Sequence, residues 1–141
     1  MKVLIVDDEA LIRDSLKLIL GLEEDIEIVG TAKNGQEAIE ICKKQNVDVV
    51  LMDIRMPVMD GVLATKYIKD INRNIKIIIL TTFRDDEFIE QAMKNGAEGY
   101  ILKTQSTDSI IDTIKMVYKG VAVFEGEVLK SISNMLKGKG R

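Results

Sequence analysis

The sequence predicts an α/β protein: a doubly wound sheet of five parallel strands in the order 2-1-3-4-5, with helices on both faces. Three observations predict it. Short runs rich in Val and Ile recur along the 141 residues, and segments with apolar residues at helical spacing separate them, so that strand and helix alternate five times. The runs are apolar on both faces, as strands are when helices cover a parallel sheet from either side. Right-handed crossovers then leave a doubly wound topology as the simplest connection.

The elements follow in order. The strands are "KVLIV" (2–6), "IEIVGTA" (26–32), "VDVVLMD" (47–53), "IKIIILTT" (75–82) and "AEGYILK" (97–103). Leu11, Ile12, Leu16, Ile19 and Leu20 mark the first helix; Ala38, Ile41 and Cys42 mark the second, after the capping residue Asn34. Asp60 and Gly61 start the third, which carries Ala64, Tyr67, Ile68 and Ile71. Asp85 and Asp86 cap the fourth, with Phe88, Ile89, Ala92 and Met93 on its apolar face and a stop at Asn95–Gly96. Ile110, Ile111, Ile114, Val117 and Tyr118 mark the fifth. The single proline, Pro57, makes a rigid turn in "RMPVMDG".

Composition narrows the chemistry. A length of 141 residues suits one domain, and 46% hydrophobic with 30% charged content is globular. A net charge of -3 argues against a nucleic-acid surface spread over this chain. One cysteine, Cys42, excludes an internal disulfide and a cysteine-built zinc site, and its place in "EAIEICKK" marks it as core. With no histidine, the chain has no His-based triad, none of the usual zinc ligands and no phosphohistidine carrier role. The N-terminus reads as a strand rather than a leader, and no apolar run is long enough to span a bilayer, so the expected location is the cytoplasm.

What remains is carboxylate, lysine and hydroxyl chemistry. In "LIVDDEALIR" a buried strand runs straight into Asp7, Asp8 and Glu9. Two readings stand: the acids begin a helix, where the peptide dipoles welcome negative charge, or they hold a cation. One acid suffices for a cap. Two like charges ~4 Å apart repel by ~4 kcal/mol at an effective dielectric near 20. In the 2-1-3-4-5 order the carboxyl ends of the first and third strands flank the switch point, where such folds place ligands. Asp7 and Asp8 end one and Asp53 the other. Three carboxylates raise one another's pKa unless a cation joins them, and magnesium suits oxygen ligands while leaving positions for phosphate oxygens. Thr81 and Lys103 end the fourth and fifth strands at the same edge, a hydroxyl and an ammonium suited to a phosphoryl group.

"VDDE", "VVLMDIRMPVMDG", "LTTF" and "GYILK" resemble the receiver domain of two-component response regulators, over residues 1 to about 119. "LMDIRMPVMDG" and "ILTTFRDDEFI" are most similar to receivers of the NarL/LuxR class of transcriptional regulators. The resemblance implies the flavodoxin-like receiver fold. It implies that Asp53 accepts a phosphoryl group, that Asp8 and Asp53 hold Mg2+, that Asp7 acts through a metal-bound water, and that the backbone carbonyl of Arg55 completes the protein ligands. Thr81 would move onto the phosphoryl oxygens, Lys103 would be their ion-pair partner and Tyr100 an aromatic rotamer switch. Glu9 is left as the helix-start residue. The implied protein is not a classical enzyme but a regulatory phosphoacceptor that catalyses its own phosphorylation and dephosphorylation. Its implied phosphodonor is a sensor histidine kinase, for which small acyl phosphates can substitute, with homodimerisation on phosphorylation and no membrane partner. Thr104 departs from the pattern, standing where many receivers have proline; the sequence leaves the Lys103–Thr104 peptide open between cis and trans.

Residues 120–141 are expected to be a linker. After an extended "VAVF" and a break at Gly126, Val128, Leu129, Ile132, Met135 and Leu136 recur at helical spacing, giving a short helix that either leads toward a DNA-binding helix-turn-helix domain or packs on its own receiver. DNA would be a partner only through that further domain. Two rivals are a stand-alone receiver working in a phosphorelay or by protein contact, and a haloacid-dehalogenase-like phosphatase. The latter needs a second Asp two residues after Asp7, where this chain has Glu9, and leaves Asp53 unexplained.

Overall fold

A computed structural model describes residues 1–82 and 86–124, with the backbone alone at Asp86 and Phe124. In chain order the elements are β1 (Lys2–Val6), α1 (Ala10–Leu20), β2 (Glu27–Ala32), α2 (Gly35–Lys44), β3 (Val49–Met52), α3 (Gly61–Ile71), β4 (Lys76–Thr81), α4 (Asp86–Lys94), β5 (Gly99–Leu102), α5 (Thr107–Tyr118) and β6 (Val123–Phe124). The sheet runs β2-β1-β3-β4-β5-β6, and every neighbouring pair is parallel. The five expected strands therefore stand in the expected order, with the expected helices between them.

β6 is an addition. Val123 and Phe124 pair with Gly99 and Tyr100, so the sheet takes in part of the extended "VAVF" that the sequence places in the linker. Gly120, at φ 98, turns the chain out of α5 toward it. The expected tail helix lies outside the described residues, as does Asp85 of the expected cap on α4.

The pleat sorts the strand residues into two cores. Leu4, Val6, Val50, Met52, Ile77, Ile79 and Tyr100 face one side, where they meet Ala38 and Cys42 of α2, Ala64 and Ile68 of α3, and Ile89 and Ala92 of α4. Val3, Ile5, Val49, Leu51, Ile78, Leu80 and Ile101 face the other, against Leu20 of α1 and Ile110, Ile114 and Val117 of α5. A strand buried on both faces cannot alternate apolar with polar, which explains the continuous runs in the sequence. Each aliphatic side chain so buried contributes about 1.5–3 kcal/mol. Burial of Cys42 pushes its thiol up to about 11, so it packs as an apolar residue.

Helix starts follow the capping rules where the sequence supplies a cap. Asn34 accepts a hydrogen bond from the Glu37 amide at 2.9 Å, and Glu37 reaches back to the Lys33 amide at 3.0 Å. Asp60 accepts from the Leu63 amide at 2.8 Å and Ser106 from the Ser109 amide at 3.2 Å. α1 differs: its N-cap, Glu9, makes no capping bond with its side chain. Gly96, at φ 101, closes α4 as the Asn95–Gly96 pair predicts. No cis peptide occurs among the described residues, so the Lys103–Thr104 bond is trans. No helix among them is long and apolar enough to cross a membrane.

Candidate functional site

Because all strands are parallel, their carboxyl ends share one edge, and the residues just after β1, β3 and β5 converge there with the last residue of β4. Asp7 follows β1 and Asp53 follows β3; Asp7, Asp8 and Asp53 each offer a carboxylate oxygen, all within 4.8 Å of one another. Asp7 and Asp53 are buried, whereas Asp8 is exposed. Hydrogen bonds fix the two buried acids. The Asp7 amide donates to the Ala32 carbonyl (3.0 Å) and its Oδ1 accepts from the Glu9 amide (2.9 Å). The Asp53 amide donates to the Val6 carbonyl (2.9 Å) and its Oδ1 accepts from the Ile54 amide (2.9 Å).

Lys103, just past β5, brings the positive charge. Its Nζ lies 2.5 Å from Asp7 Oδ2 and 3.6 Å from Asp53 Oδ1. Its amide donates to the Thr81 carbonyl at 2.6 Å, which ties the lysine and the threonine to the same corner. One ammonium does not neutralise three carboxylates. Asp53 is pushed up to about 6, mainly by burial, which Lys103 opposes; Asp7 raises it further, the Ile54 amide lowers it, and Asp8 raises it. The corner is short of positive charge by about one divalent cation, and its donors are carboxylate oxygens, which suit a hard ion.

Thr81 is fully buried, and among the described residues its Oγ1 has no hydrogen-bond partner. A buried hydroxyl left in that state costs about 1–3 kcal/mol. Tyr100 is also fully buried; it pairs with Ile79, two residues before Thr81 on β4, on the face covered by α4. Asp7, Asp8, Asp53 and Lys103 are thus brought together, with Thr81 adjoining and Tyr100 further along the sheet.

The loop after β3 holds two features that sequence reasoning missed. The Arg55 guanidinium lies 5.4 Å from the centre of the Phe88 ring, a cation–π contact between the loop beside Asp53 and α4. Nothing in sequence spacing marks such a pair. Past Pro57, Val58 adopts φ 70, and the Met59 amide donates to the Pro57 carbonyl at 2.7 Å, closing a three-residue turn. Positive φ at a β-branched residue costs about 1–3 kcal/mol. The turn delivers the chain to Gly61, where a Cβ would sit 2.0 Å from the Asp53 carbonyl oxygen; only glycine lets α3 start this close to the acid.

A family model for the "Response regulator receiver domain" matches residues 3–115. The transcriptional regulatory protein LnrK of Bacillus subtilis (strain 168) is 41% identical over 137 residues, covering 97% of this chain and 62% of LnrK. The chain spans 62% to 66% of the length of the first curated relatives it matches. Among solved structures, a LuxR-family DNA-binding response regulator from Staphylococcus aureus superposes with a TM-score of 0.79 at 32% identity, over 83% of this chain and 98% of that one. A chain of the CheX-CheY-BeF3-Mg+2 complex from Borrelia burgdorferi superposes with a TM-score of 0.77 at 28% identity, over 84% of this chain and 89% of that one.

Proposed function

The chain belongs to the response regulator receiver domain family of two-component systems and is related to transcriptional regulators, and from that premise we propose that it accepts a phosphoryl group on Asp53 and thereby controls transcription. The observation that carries this reading is the convergence of Asp7, Asp8 and Asp53 within 4.8 Å, with Lys103 2.5 Å from one and 3.6 Å from another. Asp53 is the nucleophile. Among these acids it alone follows β3, and it lies in the middle of the sheet edge, between the other acids and Thr81.

Asp8 and Asp53 fit Mg2+ as hard oxygen donors, with Asp7 beside them, and the Arg55 carbonyl would complete the protein ligands. The ion would supply charge for the phosphoryl oxygens that one lysine cannot. The chain's own groups do the rest. An Asp53 carboxylate oxygen forms a bond to phosphorus as the bond to the donor nitrogen, or to an acyl oxygen, breaks and the electron pair leaves with the donor. Lys103, already within reach of Asp53, takes charge on the transferred oxygens. The Thr81 hydroxyl donates to one of them and so gains the partner it lacks. That movement opens space on the α4 side of the sheet, where Tyr100 sits, and biases α4, β5 and α5 between two arrangements. Attack of water on phosphorus breaks the bond to the Asp53 oxygen, releases inorganic phosphate and returns the carboxylate.

The phosphodonor is a sensor histidine kinase in the cytoplasm, and phosphorylation favours a homodimer. The domain division rests on the same reading: residues 1–119 form the receiver and 120–141, whose first part adds β6 to the receiver's sheet, a linker to a DNA-binding helix-turn-helix domain. Relatives named as transcriptional and DNA-binding regulators support that output.

Intact mass after incubation with acetyl phosphate, with and without Mg2+, tests the proposal. One phosphoryl mass is expected with Mg2+, little without it, and none in Asp53→Asn. A full phosphoryl mass on Asp53→Asn under the same conditions would falsify the assignment.

A further inference from the structure

The carboxylate corner depends on a turn that ordinary capping does not hold. Glu9, the N-cap of α1, makes no side-chain capping bond. The turn from β1 into α1 is closed instead by three bonds: Glu9 amide to Asp7 Oδ1 (2.9 Å), Arg13 amide to Glu9 carbonyl (3.1 Å), and Arg13 Nη1 to the Asp7 carbonyl (2.6 Å). The last is a charge-assisted bond from a half-buried guanidinium one turn into the helix.

Asp8 makes that bond matter. The buried Asp7 carboxylate is held by the Glu9 amide and Lys103. Among the described residues no group bonds the Asp8 carboxylate, which is exposed. Its place beside Asp53 is set by the backbone between Asp7 and Glu9, and Arg13 grips the carbonyl of the Asp7–Asp8 peptide.

We propose that Arg13 is a positioning residue for the cation-binding corner: by holding the Asp7 carbonyl it keeps Asp8 within reach of the ion that Asp8 and Asp53 share. The inference rests on the reading of the corner as a magnesium-dependent phosphoryl acceptor. Partners one step removed from a metal ligand typically change metal affinity 10–100-fold when removed. The sign separates positioning from charge. Deleting a cation that bonds the Asp7 carbonyl should, by electrostatics alone, leave Mg2+ binding equal or tighter; loss of positioning weakens it.

The test is a Mg2+ titration of the 141-residue chain, read from the amide resonances of Asp7, Asp8 and Asp53, for wild type, Arg13→Met and Arg13→Lys. Unfolding midpoints without Mg2+ check that each variant folds. Arg13→Met should need about tenfold more Mg2+ for half-saturation. Arg13→Lys, which keeps a donor and a stem of similar length, should recover most of that loss. Equal or tighter binding by Arg13→Met overturns the proposal, as does an Arg13→Lys chain no better than Arg13→Met. A wild-type chain with no Mg2+ response overturns the reading of the corner as well, so the two failures are told apart.

Discussion

Asp53 is held in its charged form at a cost. Its carboxyl is pushed from an ordinary 3.8 up to about 6, chiefly by burial. The folded state therefore binds its proton more tightly than the unfolded state. The stability linked to that proton is fully present below about pH 3.8 and lost as pH rises through about 6. Two units correspond to about 3 kcal/mol as an upper figure. Asp53→Asn should thus be more stable than wild type at pH 7.5 without Mg2+, by about 1–3 kcal/mol. Denaturant melts at pH 7.5 and pH 4 check this: the gap should close at low pH, and saturating Mg2+, by stabilising only the wild type, should narrow it at high pH. At this scale the sequence was informative about position: it set Asp7, Asp8, Asp53, Thr81 and Lys103 at strand ends on one edge, and the structure has them there. Arg13 and Arg55 were opaque. A guanidinium that bonds a carbonyl six residues back, or rests on a ring 33 residues on, leaves no periodic trace.

Elements were legible because two-faced burial makes strands continuous and one-faced burial makes helices periodic. The ties between elements were not. Lys69, near the end of α3, donates to the carbonyls of Arg73 (3.3 Å) and Ile75 (2.7 Å) and pairs with Glu98 at the start of β5. Glu98 also accepts from the Ile77 amide of β4 at 2.7 Å. One buried ion pair thus clamps α3, β4 and β5 at the sheet edge opposite the carboxylates. Nothing in the sequence marks Lys69 and Glu98 as partners. Removing one partner of such a pair typically costs about 3–5 kcal/mol, because the other is left buried and uncompensated. Glu98→Ala should fall at the lower end, since its side chain is 23% exposed, and Lys69→Met in the same chain should restore most of the loss. Chemical denaturation of the single and double variants checks both; additive losses would show that the two charges act independently.

Across the molecule, two routes could couple the corner to the α4 side of the sheet. The proposed one runs through the Thr81 hydroxyl on β4; the other is the contact of Arg55 with Phe88. If the hydroxyl route dominates, Thr81→Ala should take up phosphate yet leave α4 and β5 unmoved, with amide shifts induced by beryllofluoride confined to the neighbourhood of Asp53. Wild-type-like shifts through residues 86–102 in the variant would assign the coupling to the Arg55 route instead. Sequence reasoning suggested only the first route, because it could follow strand ends but not a side chain crossing from a loop to a helix.

The sixth strand adds a further link. Phe124 is paired in register with Tyr100, so β6 is fastened by its backbone to the strand that carries the buried tyrosine. A displacement of β5 would therefore carry Val123 and Phe124 with it, as a hinge pin carries its leaf.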